Sequence, residues 1–543
     1  MIPFFTEEIV DHGIASGNID IVISIALQMV VSSVIGVIVS ITCTYLTAKL
    51  SSKLGASIRE KLYTHIQGFT LEEQKAYGPA ALATRGSGDV ANVQQVLVML
   101  IQMILPGPFI GIVAVIMTWS VSRELAFIVA LTILLFFGTV IFVFLKSLDN
   151  MKAIQERIDQ MVAKLREVFV GVKIIRAFDN SAYEEQRTND TFVAHANNII
   201  AINRRFAFIS PTAFLFLGVV MAAILWFGSF EVTTGAVKIG AVTAVIEYVT
   251  LTLLQLLSGA LVTVMIPRAV ASLTRVQKVL DQQTSLTDRE HTKDEQYNEK
   301  AEELVQFDHV TFQYPGAEKA VLEGISFSVK RGQTVAVIGA TASGKSTVAK
   351  ILLRFDDIQS GSILLGGVNI CKLSQKFLRD KISYVPQTAF LFNGTVRENL
   401  KYADSSISDE QMIRAAKIAQ ADGFVSALKE GYDSVVARGG TNFSGGQKQR
   451  VLLARALAGN SEILILDDSA SALDYATDAR LRRALSEGLR GTTVILVSQR
   501  CISIKDADQI LVLDDGRQVG LGTHEELKEH CGVYREICMS QLS

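Results

Sequence analysis

Long apolar runs crowd the first half of this chain, and short apolar strands punctuated by polar loops fill the second. Five stretches, 21–48, 97–121, 125–146, 206–229 and 241–266, are each long and apolar enough to cross a bilayer, which takes about 20 residues. So many spans with so few charges do not fit one soluble core, so the pattern predicts an all-α bundle in lipid. Basic residues concentrate in two long loops, with Lys53, Arg59, Lys61 and Arg85 in one and Arg157, Lys164, Arg176 and Arg205 in the other. Positive loops stay in the cytoplasm, which puts the C-terminal half there and the N-terminus outside. Residues 1–20 then read as an external loop. Ile154, Ile158, Met161, Val162, Leu165, Val168 and Phe169 recur at helical spacing, so membrane helices are expected to continue into the cytoplasm. Polar turns at 78–86 and 179–187 tip these extensions and are placed to touch a following domain.

The pattern changes after residue 280. A charged stretch from Thr287 to Glu295 separates the apolar half from an α/β half. The expected division is a membrane domain over 1–280, a charged linker over 281–302 and a globular domain over 303–543. Composition agrees: 49% of the 543 residues are hydrophobic, 20% are charged and mean hydropathy is +0.33. A net charge of −2 offers no basic field for nucleic acid. The five cysteines, Cys43, Cys371, Cys501, Cys531 and Cys538, show no metal spacing and read as unpaired, reduced thiols.

The chemistry sits in the second half. Gly339, Ala340, Thr341, Ala342, Ser343, Gly344, Lys345, Ser346 and Thr347 fit G-x-x-x-x-G-K-[ST] between a predicted strand, 334–338, and a predicted helix, 348–354. Loop N–H groups and the helix N-terminus suit a polyphosphate. Lys345 is expected at the outer phosphates and Ser346 on Mg²⁺, so ATP and Mg²⁺ are the expected ligands. Tyr314, after a strand and ahead of this loop, is placed to stack on a base. Gln387, after the strand ending Tyr384-Val385, can reach Mg²⁺ or water. Ser444, Gly445, Gly446 and Gln447 open a helix and make a second anion site. Asp467 and Asp468 end the strand 463–466; the first is placed to hold Mg²⁺, the second to act as general base. Gln499 ends the strand 494–497.

Together these motifs resemble the ATP-binding cassette family over essentially the whole chain. In that resemblance Tyr314 is the A-loop, 339–346 Walker A, Gln387 the Q-loop, 443–447 the signature, 463–467 Walker B and 471–474 the D-loop. The membrane half is similar to the type IV exporter fold, with the first of its six helices absent from this sequence. Glu7 to Ile14 resembles the segment after that helix.

Several positions depart from the family pattern. Asp468 stands where a catalytic glutamate is usual, and Gln499 where a histidine is usual. Ala342 replaces a glycine of the phosphate loop, and Ala437 a glutamate near the signature. The resemblance therefore implies a degenerate-site subunit of a heterodimeric bacterial exporter, which binds MgATP and lends its signature to a partner half-transporter's competent site. It places the chain in the bacterial plasma membrane, with the ATPase domain in the cytoplasm and a small amphipathic drug, lipid or peptide as cargo. A homodimeric exporter with slow ATPase and a non-transporting ATP sensor are the alternatives. Glu247, ionisable within the last span, is a candidate for function.

Overall fold

The computed structural model describes residues 2–286, 288, 292–459, 461–469, 473–489 and 491–541. The charged-linker residues Thr287 and 289–291, and Ser471 and Ala472 of the expected D-loop, lie outside them. The chain divides into two compact units, one of residues 1–67 and 77–283, the other of residues 68–76 and 284–543.

The first unit is helical. Among the described residues five stretches are long and apolar enough to cross a membrane: Ile19–Gln67, Pro79–Val121, Arg123–Met151, Ser181–Thr233 and Ile239–Leu280. A helix satisfies its own backbone, which is what lipid demands. The helix Arg123–Ala177 runs 55 residues, roughly 80 Å at ~1.5 Å per residue, and so outreaches a bilayer core. Its start is capped by Ser122, whose hydroxyl accepts from the Leu125 N–H.

The helix Ile239–Val262 is the buried centre, with Val245, Val249 and Leu253 packed against Leu125, Val129, Phe136, Val220 and Ile224. Small residues let backbones approach: a Cβ on Gly259 would lie 2.9 Å from the Met103 carbonyl oxygen. The helix Ile19–Gln67 is different, burying only Thr47, Ser51, Gly55 and Leu62 and leaving its apolar stretch outward.

Residues 1–20 are not the loop expected from the sequence. Ile2–Glu8 is an α-helix and Ile9–Ile14 a π-helix. They are tied to the last span, because Asp11 Oδ1 accepts from the Gly240 N–H at 2.7 Å and Thr6 Oγ1 donates to Glu247 Oε2 at 3.3 Å. This partner explains Glu247 in part; the sequence pattern held no sign of it.

The second unit is a ten-stranded sheet among the described residues, with helices on its faces. Its parallel centre sets Ile382–Val385, Ile463–Asp467, Thr493–Val497, Thr334–Gly339 and Gln509–Asp514 side by side. These strands are largely apolar because both faces are covered. Val335 and Val337 enter one core with Ile463, Ile465 and Ile495, while Ala336 and Ile338 enter a second with Ile510, Val512 and Tyr534. A third core joins Leu464 and Leu466 to the helix Gly445–Ala458 and the helix Asp409–Ile418.

Gly68–Ala76 folds with this unit. Glu73 Oε1 accepts from both the N–H and the hydroxyl of Ser285 at 3.0 Å. Residues 78–86, expected as a tip of the helical half, belong to the helical unit, where Pro79–Thr84 is a helix. The second tip turns at Asp179, with φ +50°, beside Phe178, which is 80% exposed.

The reading of all five cysteines as unpaired is also corrected. Cys501 and Cys538 are disulfide-bonded, their Cα atoms 5.5 Å apart. Folding of the helix Gly532–Ser540 onto the sheet brings them together across 37 residues of sequence, a separation that carries no signal in the chain itself.

Candidate functional site

The cleft follows from how one strand ends. Thr334–Gly339 runs buried into a loop that turns sharply before the helix Lys345–Leu352. At Gly339 a Cβ would fall 2.2 Å from the Leu513 carbonyl oxygen, so only glycine fits. Gly344 has φ +95°, a conformation open to glycine. Ala342 adopts φ +68°, left-handed for a residue with a Cβ, which costs roughly 1–2 kcal/mol.

Within the loop, Lys345 Nζ donates to the carbonyl oxygens of Gly339 at 2.9 Å and Ala340 at 2.5 Å. Burial pulls its ammonium below the usual lysine range, and Asp468 and Asp467 oppose that shift. Ser346 Oγ donates to Asp467 Oδ1 at 2.8 Å, and Tyr384 OH donates to Asp467 Oδ2 at 3.2 Å. Burial pushes the Tyr384 hydroxyl well above the ordinary phenol range, and the charge of Asp467, 2% exposed, adds to the shift.

Asp468 sits one residue on with φ +47°, its N–H bonded to the Val497 carbonyl. Its carboxylate accepts from Gln387 Nε2 at 3.3 Å. Burial raises its pKa, the Gln387 hydrogen bond works against this, and the neighbouring Asp467 charge adds to it. The sheet register sets Val497 beside Asp467, which brings Gln499 to the same end of the strands. Thr341 to Thr347, Gln387, Asp467, Asp468, Ser498 and Gln499 thus line one cleft of ≈ 420 Å³.

This donor set fits a magnesium nucleotide. Two hard oxygens, Ser346 Oγ and an Asp467 carboxylate oxygen, stand together, and a lysine ammonium lies in the curl of the loop. Tyr314 does not line the cleft. Its ring packs edge-on against Phe312, centroids 4.8 Å apart, and its hydroxyl lies 3.4 Å from Thr347 Oγ1.

Ser444, Gly445, Gly446 and Gln447 also stand apart from the cleft. They form a capping box: Ser444 Oγ accepts from the Gln447 N–H at 3.3 Å, and Gln447 Oε1 accepts from the Ser444 N–H at 2.9 Å. Ser444 and Gly445 remain exposed, so this helix end faces outward. Of the expected D-loop, Leu473 is buried and Asp474 caps the helix Tyr475–Gly488. Ala437 N–H bonds Asn442 Oδ1 at 3.0 Å and takes no part in the cleft.

One functional contact was missed by sequence reasoning. Tyr384 was visible as the aromatic of the strand before Gln387, but only the pairing of Tyr384 with Ile465 places its hydroxyl on Asp467.

Known proteins agree with this architecture. Residues 1–257 match the ABC transporter transmembrane region, and residues 322–471 match the ABC transporter domain. The chain is 30% identical to an uncharacterised ABC transporter ATP-binding protein of Mycobacterium tuberculosis, covering 99% of this chain and 93% of that one. It is also 30% identical to an ATP-dependent lipid A-core flippase of Mannheimia succiniciproducens, over 99% and 92%. A solved bacterial Atm1-family ABC exporter with ATP bound shares the fold at a TM-score of 0.84, covering 100% of this chain and 95% of that chain with 24% identity. A membrane-spanning helical unit followed by a Walker-type ATPase unit in one polypeptide makes this chain a member of the ABC transporter family, with the fold of its exporters.

Proposed function

We propose that the chain is one half of a heterodimeric ATP-driven exporter of a bacterial plasma membrane, and that its own Walker residues form a nucleotide site that binds MgATP but turns it over slowly. The observation that carries this reading is a split within one cleft. The binding groups, Lys345, Ser346 and Asp467, are in place, while the two positions that act on the attacking water hold Asp468 and Gln499. An aspartate is one methylene shorter than glutamate, and misplacement of a base by about 1 Å can cost about 10²-fold. A glutamine at 499 can hydrogen-bond but cannot carry a positive charge towards a phosphate.

Ser346 and Asp467 would hold the magnesium ion, which supplies charge neutralisation for the phosphates. Lys345 would leave the Gly339 and Ala340 carbonyls to meet the outer phosphates. Tyr314, at the rim beside Thr347, is placed for a base to approach its ring. The outward-facing Ser444–Gln447 helix end, where the capping box uses the Ser444 and Gln447 N–H groups, would present the Gly445 and Gly446 backbone to a nucleotide held by another ATPase domain. A partner half-transporter would thus be completed by this signature. Closure of the two ATPase domains would be relayed through Gly68–Ala76, which folds with this chain's own ATPase unit, and through the Asp179 turn with its exposed Phe178.

The proposed cargo is amphipathic, of the drug, lipid or peptide class; the relative named as a lipid A-core flippase supports the lipid end of that range. A homodimer is the second reading, favoured by the Gln387–Asp468 hydrogen bond, which already orients a carboxylate in the cleft. Phosphate release by the purified chain in lipid nanodiscs, alone and co-purified with the product of the adjacent transporter gene, separates the two. Robust activity only in the pair supports the heterodimer; equal activity of the chain alone refutes it.

A further inference from the structure

The loop that carries Gln499 is held from behind by the C-terminal helix. That helix, Gly532–Ser540, packs Tyr534 and Cys538 against Ala336 and Ile338 of the strand feeding the phosphate loop. Two links then join it to the Gln499 loop. Cys538 is bonded to Cys501, two residues beyond Gln499. Gln541, just past the helix, bridges the same loop with its amide: Nε2 donates to the Gln499 carbonyl at 2.6 Å, and Oε1 accepts from the Cys501 N–H at 2.8 Å. The backbone of a cleft-lining residue is therefore fixed by the side chain of the residue that caps a helix pinned by a disulfide.

We propose that Cys501 and Cys538 form a reversible thiol–disulfide switch that, with Gln541 as a positioning residue, sets the Gln499 loop and so the preference of the cleft for MgATP over MgADP. The proposal rests on the nucleotide reading of the cleft and on a cytoplasmic ATPase unit, where disulfides that form are mostly transient and redox-sensing. In the oxidising direction one cysteine thiolate attacks a small-molecule disulfide, RSSR, forming a mixed disulfide and releasing one RSH after protonation. The second thiolate then attacks the protein sulfur of that mixed disulfide and expels the second RSH. The protein dithiol loses two electrons and RSSR gains them. Reduction by an excess of small thiol runs the same steps backwards.

Both sulfurs are shielded, with Cys501 8% and Cys538 6% exposed, so exchange requires the nine-residue terminal helix to lift. A short helix packed on the outside of a sheet opens more readily than the core strands beneath it. A ligand that steadies the Gln499 loop opposes that opening, and by reciprocity the closed, oxidised tether favours the ligand. Cys531 shares the same apolar cluster without belonging to the disulfide, and Cys43 and Cys371 lie outside that cluster and form no disulfide.

The test uses the full chain in nanodiscs, carrying Cys43→Ser, Cys371→Ser and Cys531→Ser so that only the pair reports. Thiol alkylation and intact mass are followed across mixtures of reduced and oxidised small-molecule thiol, with fluorescent ATP and ADP titrations at each end. The expected result is a two-electron conversion of the pair and a 3–10-fold weaker MgATP affinity on reduction, with MgADP affinity changed by less than 2-fold. Saturating MgATP slows reduction several-fold. Gln541→Ala keeps the disulfide yet binds MgATP as weakly as the reduced form, and Gln541→Glu, which retains only the acceptor, falls between. Two free thiols under every oxidising mixture, or equal MgATP affinity in both states, overturns the switch. An absence of MgATP binding in either state refutes the nucleotide reading instead, and the coupling falls with it.

Discussion

On the proposed reading of the cleft, replacing Asp468 by glutamate lengthens a base whose short reach limits turnover. Asp468 is positioned by its backbone, with its N–H on the Val497 carbonyl and φ +47°, so the added methylene extends the carboxylate along a direction the loop already sets. The extension is roughly 1–1.5 Å, the scale of misplacement that costs about 10²-fold, or about 2.7 kcal/mol of barrier. Gln387, 3.3 Å from the present carboxylate, is amenable to following it by a rotamer change. Lys345, Ser346 and Asp467 are untouched, so MgATP affinity stays within about 2-fold of the parent. The assay is steady-state phosphate release in nanodiscs, with Asp468→Asn to report turnover without a base. If the reasoning holds, Asp468→Glu raises kcat by 10–100-fold and Asp468→Asn lowers it. A kcat for Asp468→Glu within 3-fold of the parent refutes the claim that the shorter side chain limits this site.

Three further outcomes are expected. Ala342→Gly relieves the left-handed strain at φ +68°, which is present without ligand, and raises stability by up to about 1 kcal/mol, read by thermal unfolding; an unchanged or lower midpoint contradicts the strain. Asp468 must be ionised to act as a base, and its pKa is raised by burial against the pull of Gln387. The acid limb of kcat against pH therefore lies above the ordinary carboxylate range, and Gln387→Leu, which removes that pull, moves it higher still. Glu462 is partly buried, yet Lys381 at 2.6 Å, Arg331 at 2.5 Å and the Tyr297 hydroxyl overcome that burial and hold it down at about 2. A depressed carboxylate stabilises the fold above its unfolded pKa, about 4.3, and loses that contribution as pH falls towards 2. Glu462→Gln therefore lowers stability by up to about 3 kcal/mol at pH 7, and the gap in thermal midpoint from the parent narrows below pH 4.

What the chain reveals unaided is whatever depends on neighbours in sequence. Five apolar spans declare themselves because a membrane helix needs only its own residues to be viable. The phosphate loop does so because Gly339, Gly344, Lys345 and Ser346 must lie at fixed spacing on one turn. Ala342 too stood out in sequence, as an alanine where the phosphate loop usually has glycine, and the structure shows the left-handed φ that makes the change matter.

Contacts between distant residues had to wait for the fold. Tyr384 reaches Asp467 only because two strands pair in one register, and Asp468 meets Gln387 only where two strand ends converge. The N-terminal helices became visible through Asp11 on Gly240, and only packing grouped residues 68–76 with the second unit and 78–86 with the first. The cysteines teach the same lesson: Cys501 and Cys538 look like isolated thiols until the terminal helix folds over the sheet. Pattern along a chain reports which surfaces must be covered, while the choice of covering partner is an energy summed over the whole packed unit.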